Sequence, residues 1–295
     1  MGNFVLPAMD SGFILPKIVK TVAVMALLSL VFVVLRPVTA KGYVYKAFRE
    51  ISRFQMMWGT GGWEEVQTLR FIVRFRVQDR DIAQMVADTA EKSFEPVNRN
   101  FGYSPSDKIL VIIYPTKESL GRSFGWAADE SAMGVYWAGV IRVLSPAAWI
   151  EEEDPAQFAT TFINEGPVAH ELAHLVVDYQ TGGNYTRWFT EGIAQYVEAK
   201  VTGYRVEERE INHPGDIYSF EVMDRGFDNL PDQNRAYMES LLAVEFLVEQ
   251  YGEDSLGGII YELGHDRTME TSFQNVLGLT MEEFEENFRQ WLMAK

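Results

Sequence analysis

The 295-residue chain has no cysteine. That excludes disulfides, a thiolate nucleophile and any cysteine-ligated metal, so a metal site here must be built from histidine and carboxylate. Histidine is itself scarce, with four in the whole chain. Positive charge is also in deficit: 26 Lys and Arg stand against 42 Asp and Glu, for a formal charge of −16. A surface that acidic repels phosphate backbones, which argues against a nucleic-acid partner, and it disfavours acidic substrates in general. Long apolar runs are missing apart from one. Val22 to Leu35 carries no charge and is broken only by Ser29, but it is shorter than the ~20 residues that cross a bilayer.

That run follows Lys17 and Lys20 and precedes Arg36, Pro37 and the small-residue pattern Val38-Thr39-Ala40. Residues 1–40 therefore read as a signal peptide or a signal-anchor segment, either cut after Ala40 or kept as a membrane anchor. Both outcomes place the rest of the chain outside the cytoplasm, membrane-anchored or secreted. Residues 41–63 read as a juxtamembrane helix or linker, with Tyr43, Tyr45, Phe48, Ile51 and Phe54 at roughly helical spacing. The glycines of Trp58-Gly-Thr-Gly-Gly-Trp63 end that pattern, and residues 64–295 form one domain. Hydrophobic residues make up 47% of the chain, enough for a packed core.

Within the domain, Arg70–Val77 alternates as a strand does, and Asp79–Asn100 carries a helical apolar stripe. Lys108–Pro115 is a continuous apolar run of strand length. Gly134–Pro146 reads as a hairpin turning at Ala138-Gly139, whose free edge can accept an extended peptide through main-chain hydrogen bonds. Beyond Asp154 the pattern is helical, interrupted between Val201 and Asn234 by a charged, Gly- and Pro-punctuated stretch that reads as a loop or lid. Strands first and helices afterwards make an α+β domain, with a small mixed or antiparallel sheet and a helical C-terminal part.

Two of the four histidines, His170 and His174, sit one turn apart in "GPVAHELAHLVV", Gly166–Val177. On a helix both imidazoles project from one face and can reach one ion, and the intervening Glu171 can address a water at that ion without ligating it. Burying two imidazoles and a carboxylate without partners is costly, and a metal answers that cost. A third ligand is available in "RWFTEGIAQYVE", Arg187–Glu198. There Glu191 opens a helical pattern behind Thr190, a candidate N-cap, with Glu198 as the competing carboxylate. Two imidazoles, one carboxylate and a water make the open tetrahedral site of catalytic zinc.

His-Glu-x-x-His followed by Trp188, Glu191, Gly192, Ala194 and Tyr196 resembles the gluzincin branch of zinc metallopeptidases, in particular the bacterial peptidase MA-like domain. The resemblance runs from about Phe71 to Leu292 and includes two late helical stretches. It implies a gluzincin-like catalytic fold, Zn2+ on His170, His174 and Glu191, Glu171 as general base and a peptide or protein substrate. It also implies an oxyanion donor, for which Tyr237 is the choice, with Tyr218, His213 and His265 left open. Asp178, one turn past His174, is a candidate to orient a ligating imidazole. The competing reading is a proteolytically inactive zinc-binding interaction or sensor module on the same fold, tethered outside the membrane.

Overall fold

The computed structural model describes residues 22, 24, 25, 27, 31, 33–125, 132–205 and 217–294. Its strands are β1 Glu64–Gln67, β2 Phe71–Phe75, β3 Ile109–Tyr114, β4 Gly134–Trp137 and β5 Val140–Leu144. They form one sheet in the order β1-β2-β3-β5-β4. The β2–β3 and β3–β5 pairs are parallel and the two outer pairs antiparallel, so the sheet is mixed. β3 lies at the centre with all six residues buried, which explains its unbroken apolar run.

β1, by contrast, has one apolar residue among Glu64, Glu65, Val66 and Gln67, and no alternation in the sequence marks it as a strand. Pairing with β2 makes it one, helped by Arg74 reaching Glu65 across the register at 3.3 Å. At the other edge, β4 and β5 are joined by Ala138 and Gly139, both at positive φ (46° and 84°). Left-handed backbone at both central residues is what a two-residue hairpin loop requires.

The helices are α1 Pro37–Gly59, α2 Arg80–Asn98, α3 Lys117–Arg122, α4 Pro155–Glu165, α5 Val168–Thr181, α6 Arg187–Thr202, α7 Phe220–Gly226, α8 Gln233–Tyr251, α9 Asp254–Gly264, α10 Met269–Leu277 and α11 Met281–Ala294. The main core fills the space between one face of the sheet and α2, α5, α6 and α8. A smaller cluster on the opposite face, around Leu110, Ile112, Val140 and Leu144, is covered by Met56 and Met57 of α1 together with Leu120, Trp63 and Trp149. Among the described residues no helix is long and apolar enough to cross a membrane. Six of the fourteen residues of the apolar run from Val22 to Leu35 lie outside the described residues.

Three features differ from the sequence reading. α7 and a single 3-10 turn at Phe227–Asn229 occupy part of the stretch read as a loop or lid, while residues 206–216 lie outside the described region. α7 is helical because Ser219 caps it and Phe220 stacks on Trp188 at 4.2 Å, a long-range contact that no local pattern announces. α6 begins at Arg187 with Thr186 at its N-cap, so Thr190 is an interior helical residue and not the cap. α8 begins at Gln233, capped by Asp232, which puts Tyr237 one turn inside the helix rather than at its start.

α5 is the central helix, buried on nearly every side. It ends at Gly182 in the left-handed conformation (φ 64°), and the short Gly-Gly-Asn-Tyr-Thr connection returns the chain along α6. α6 in turn crosses α8 at Gly192, where a Cβ would lie 2.2 Å from the Ser240 carbonyl oxygen and 2.7 Å from Val244 Cγ2. The glycine next to Glu191 is thus required by helix approach. Gly192→Ala is expected to destabilise the fold by about 2–3 kcal/mol, the cost of overpacking against backbone. Urea denaturation checks this, and an unchanged midpoint would show that the two helices can separate freely.

Candidate metal centre

His170 and His174 come from the first half of α5, and Glu191 from the first turns of α6 facing it. The two Nε2 atoms are 3.1 Å apart, and Glu191 Oε2 lies 3.4 Å from that of His170 and 3.5 Å from that of His174. Ligands about 2.0–2.1 Å from one tetrahedral ion stand about 3.3–3.4 Å from each other, so this triangle has the dimensions of a closed half-shell. Glu191 is 2% exposed, and its Oε2 has no hydrogen-bond partner. A buried carboxylate oxygen left alone opposite two imidazole nitrogens calls for a cation.

The electrostatics agree. Burial opposes the His170 cation, yet Glu191 and Glu198 outweigh it and raise that imidazole well above its ordinary value. Burial likewise works against the Glu191 anion, but His174, His170 and Arg187 hold it well below the usual carboxylate range. Both shifts mark a point that favours positive charge.

Orienting contacts surround the three residues. His170 Nδ1 donates to Glu198 Oε2 at 3.0 Å, which leaves its Nε2 lone pair for a metal. His174 Nδ1 is 2.8 Å from Thr190 Oγ1. Glu198, weighed as a competing ligand, is therefore the carboxylate that orients one. Thr190 takes the role expected of Asp178. On Glu191 the second oxygen, Oε1, accepts from Arg187 Nη1 at 2.8 Å, one turn earlier on α6. Arg187 was not singled out in the sequence, although its i−4 position was a readable signal.

Asp178 faces away from the histidines. It is wholly buried and accepts from Arg49 Nη1 at 2.9 Å, from Tyr136 Oη at 2.5 Å and from Tyr185 Oη at 3.3 Å. Arg49 comes from α1, and its guanidinium also stacks 3.7 Å from the Tyr179 ring centre. Tyr136, on the edge strand, is held at both ends: its hydroxyl bonds Asp178, and its backbone N–H donates to Glu171 Oε2 at 2.5 Å. The edge strand thus fixes the Glu171 carboxyl beside the histidine pair. Burial, first among the influences on it, raises the Glu171 pKa above the ordinary carboxylate value.

A cleft of about 560 Å³ opens over these groups, lined by His170, Glu171, His174, Glu191, Tyr237 and the start of β4. Tyr237 therefore joins the site. Its phenol is pushed up to about 12 by burial, with Glu191 adding to the shift and Arg187 opposing it, so it stays protonated as a donor at neutral pH. The other candidate donors are elsewhere. Tyr218 Oη accepts from the Asp232 N–H, His265 is engaged with Tyr261 on the outside of α9, and His213 lies outside the described residues.

A buried His-His-Glu group at the floor of a cleft, on an α+β scaffold, defines a candidate metal centre. Residues 89–294 match the peptidase MA superfamily, and the chain belongs to it. Among curated proteins there is no match. Among solved structures the chain is similar to a crystal structure of a two-domain M1 zinc metallopeptidase mutant bound to L-arginine. The two share 17% identity with a TM-score of 0.38, covering 78% of this chain and 50% of the other, so this chain spans about half the length of that relative.

Proposed function

We propose that this chain is a zinc-dependent peptidase acting outside the cytoplasm on peptide or protein substrates. The observation that carries the reading is the triangle of His170 Nε2, His174 Nε2 and the unpartnered Glu191 Oε2, 3.1–3.5 Å on each side, with Glu171 fixed beside it. Zinc bound there supplies a Lewis acid that polarises a peptide carbonyl and makes a water nucleophilic near neutral pH. Glu171 accepts the proton of the attacking water and returns it to the leaving amine. Tyr237 donates to the developing oxyanion from the cleft wall. Glu198 and Thr190 keep both imidazoles turned the right way. β4 is the outer strand of the sheet among the described residues and borders the cleft, and its outer edge can align an extended substrate where the Tyr136 N–H is released by Glu171.

The extracytoplasmic placement rests on the sequence pattern of residues 17–40, and a tether to the membrane finds no support among the described helices. The test of activity uses the zinc-loaded chain, a diverse peptide mixture and mass spectrometry. New peptide ends are expected, should vanish with a chelator and should return with added zinc. Zinc binding with no new ends would favour the interaction-module reading, and no zinc binding would overturn the site.

A further inference from the structure

Among the described residues two arginines are buried. Arg49 has Asp178 for a partner; Arg142, 5% exposed, has no carboxylate partner among the described residues. Its Nη1 donates to Ser123 O at 3.1 Å and Ser123 Oγ at 3.2 Å, and its guanidinium lies 4.0 Å from the Phe124 ring centre. Its Nε is buried with no hydrogen-bond partner among the described residues. A guanidinium kept out of water without an anion is costly unless something supplies the missing charge.

Its position says what that something is. Along β5, Ile141 and Val143 face the main core, while Val140, Arg142 and Leu144 face the other side of the sheet. Val135 on β4 pairs with Arg142 and so shares that side. Arg142 and Val135 both line a second lobe of about 870 Å³, which meets the metal cleft at Val135, Tyr136, His174 and Arg187. A peptide laid along the outer edge of β4, taking the Tyr136 N–H over from Glu171, sends alternate side chains to the two sides of the sheet. Those on the Val135 side stand two strand spacings, about 9.6 Å, from the Arg142 backbone, within the combined reach of an arginine and a glutamate.

We propose that Arg142 is a specificity residue that receives one carboxylate side chain of an extended peptide substrate in this lobe. The proposal rests on the peptidase reading above. It also reconciles a buried cation with the acidic chain: a formal charge of −16 repels acidic peptides at large, while one recessed guanidinium rewards a single carboxylate in one register.

The test uses the zinc-loaded full chain and peptide pairs that differ only by Glu or Gln, the substitution being moved through each position around the cut. At one position Glu should be favoured over Gln by about 10-fold or more in kcat/KM, the usual weight of a charge-assisted hydrogen bond. Arg142→Gln should bring that ratio to about 1, Arg142→Glu should push it below 1, and Arg142→Lys should keep it above 1. An arginine that only braces Ser123 and Phe124 would lower both rates together and leave the ratio alone. The proposal is overturned by a wild-type ratio near 1 at every position, or by a ratio that Arg142→Gln leaves unchanged. If wild type cuts neither member of any pair, the peptidase reading falls, and this subsite with it.

Discussion

Glu171→Gln is expected to lower kcat about 10²- to 10⁴-fold while zinc content stays at the wild-type level. The substitution keeps the shape of the side chain and an oxygen to accept the Tyr136 N–H, which now lies 2.5 Å from Glu171 Oε2. What it removes is the capacity to take a proton. Glu171 is not part of the His170–His174–Glu191 triangle, so metal binding has no reason to change. Metal analysis and steady-state kinetics on the same preparation separate the two quantities. A Gln variant as fast as wild type would show that another group is the base. A variant that loses zinc would mean the carboxyl supports the metal directly. For an inactive interaction module, partner binding would be indifferent to the change.

Arg49→Met is expected to cost about 3–5 kcal/mol of stability, the usual result of removing one partner from a buried ion pair. Both partners are out of water, with Arg49 6% exposed and Asp178 not exposed at all. Two tyrosine hydroxyls still reach Asp178, but hydroxyls do not neutralise a carboxylate. Adding Asp178→Asn should recover much of the loss, because the stranded charge disappears with it. Urea unfolding of the two single variants and the double variant closes the cycle. A loss under about 1 kcal/mol for Arg49→Met alone would show that water reaches Asp178 easily.

How far the sequence revealed the site depended on the range of each contact. The His-Glu-x-x-His spacing is a local property of one helix, so the common face of His170 and His174 could be read directly, and the glutamate motif on the following helix supplied Glu191. The surrounding partners were misread for one reason. Whether Glu198, Thr190 or Asp178 meets an imidazole depends on how α6 is rotated against α5, and the histidine pattern does not encode that rotation. β3 and the β4–β5 hairpin declared themselves through an apolar run and a turn pair. β1 and α7 did not, since each is held by a distant neighbour: β1 by β2, and α7 by Trp188. Gly192 was noticed as part of a motif, but only the crossing with Ser240 shows why nothing larger fits.

α1 also determines where the protein can be shortened. Arg53 Nη2 donates to Lys108 O at 3.0 Å, and Arg49 reaches the helix that carries both histidines. A fragment starting at Lys41 keeps both arginines and, among the described residues, forfeits the Thr39–Asp266 hydrogen bond and the buried Ala40. One starting at Glu64, where the sheet begins, leaves Asp178 without its cation and uncovers Leu110 and Ile112 where Met56 and Met57 had lain. Such a fragment would look complete in a secondary-structure diagram yet be prone to aggregate on expression. A protease nick within residues 41–59 would reach the His-His-Glu group from a distance, by loosening Asp178 and with it Tyr136, whose N–H holds the Glu171 carboxyl.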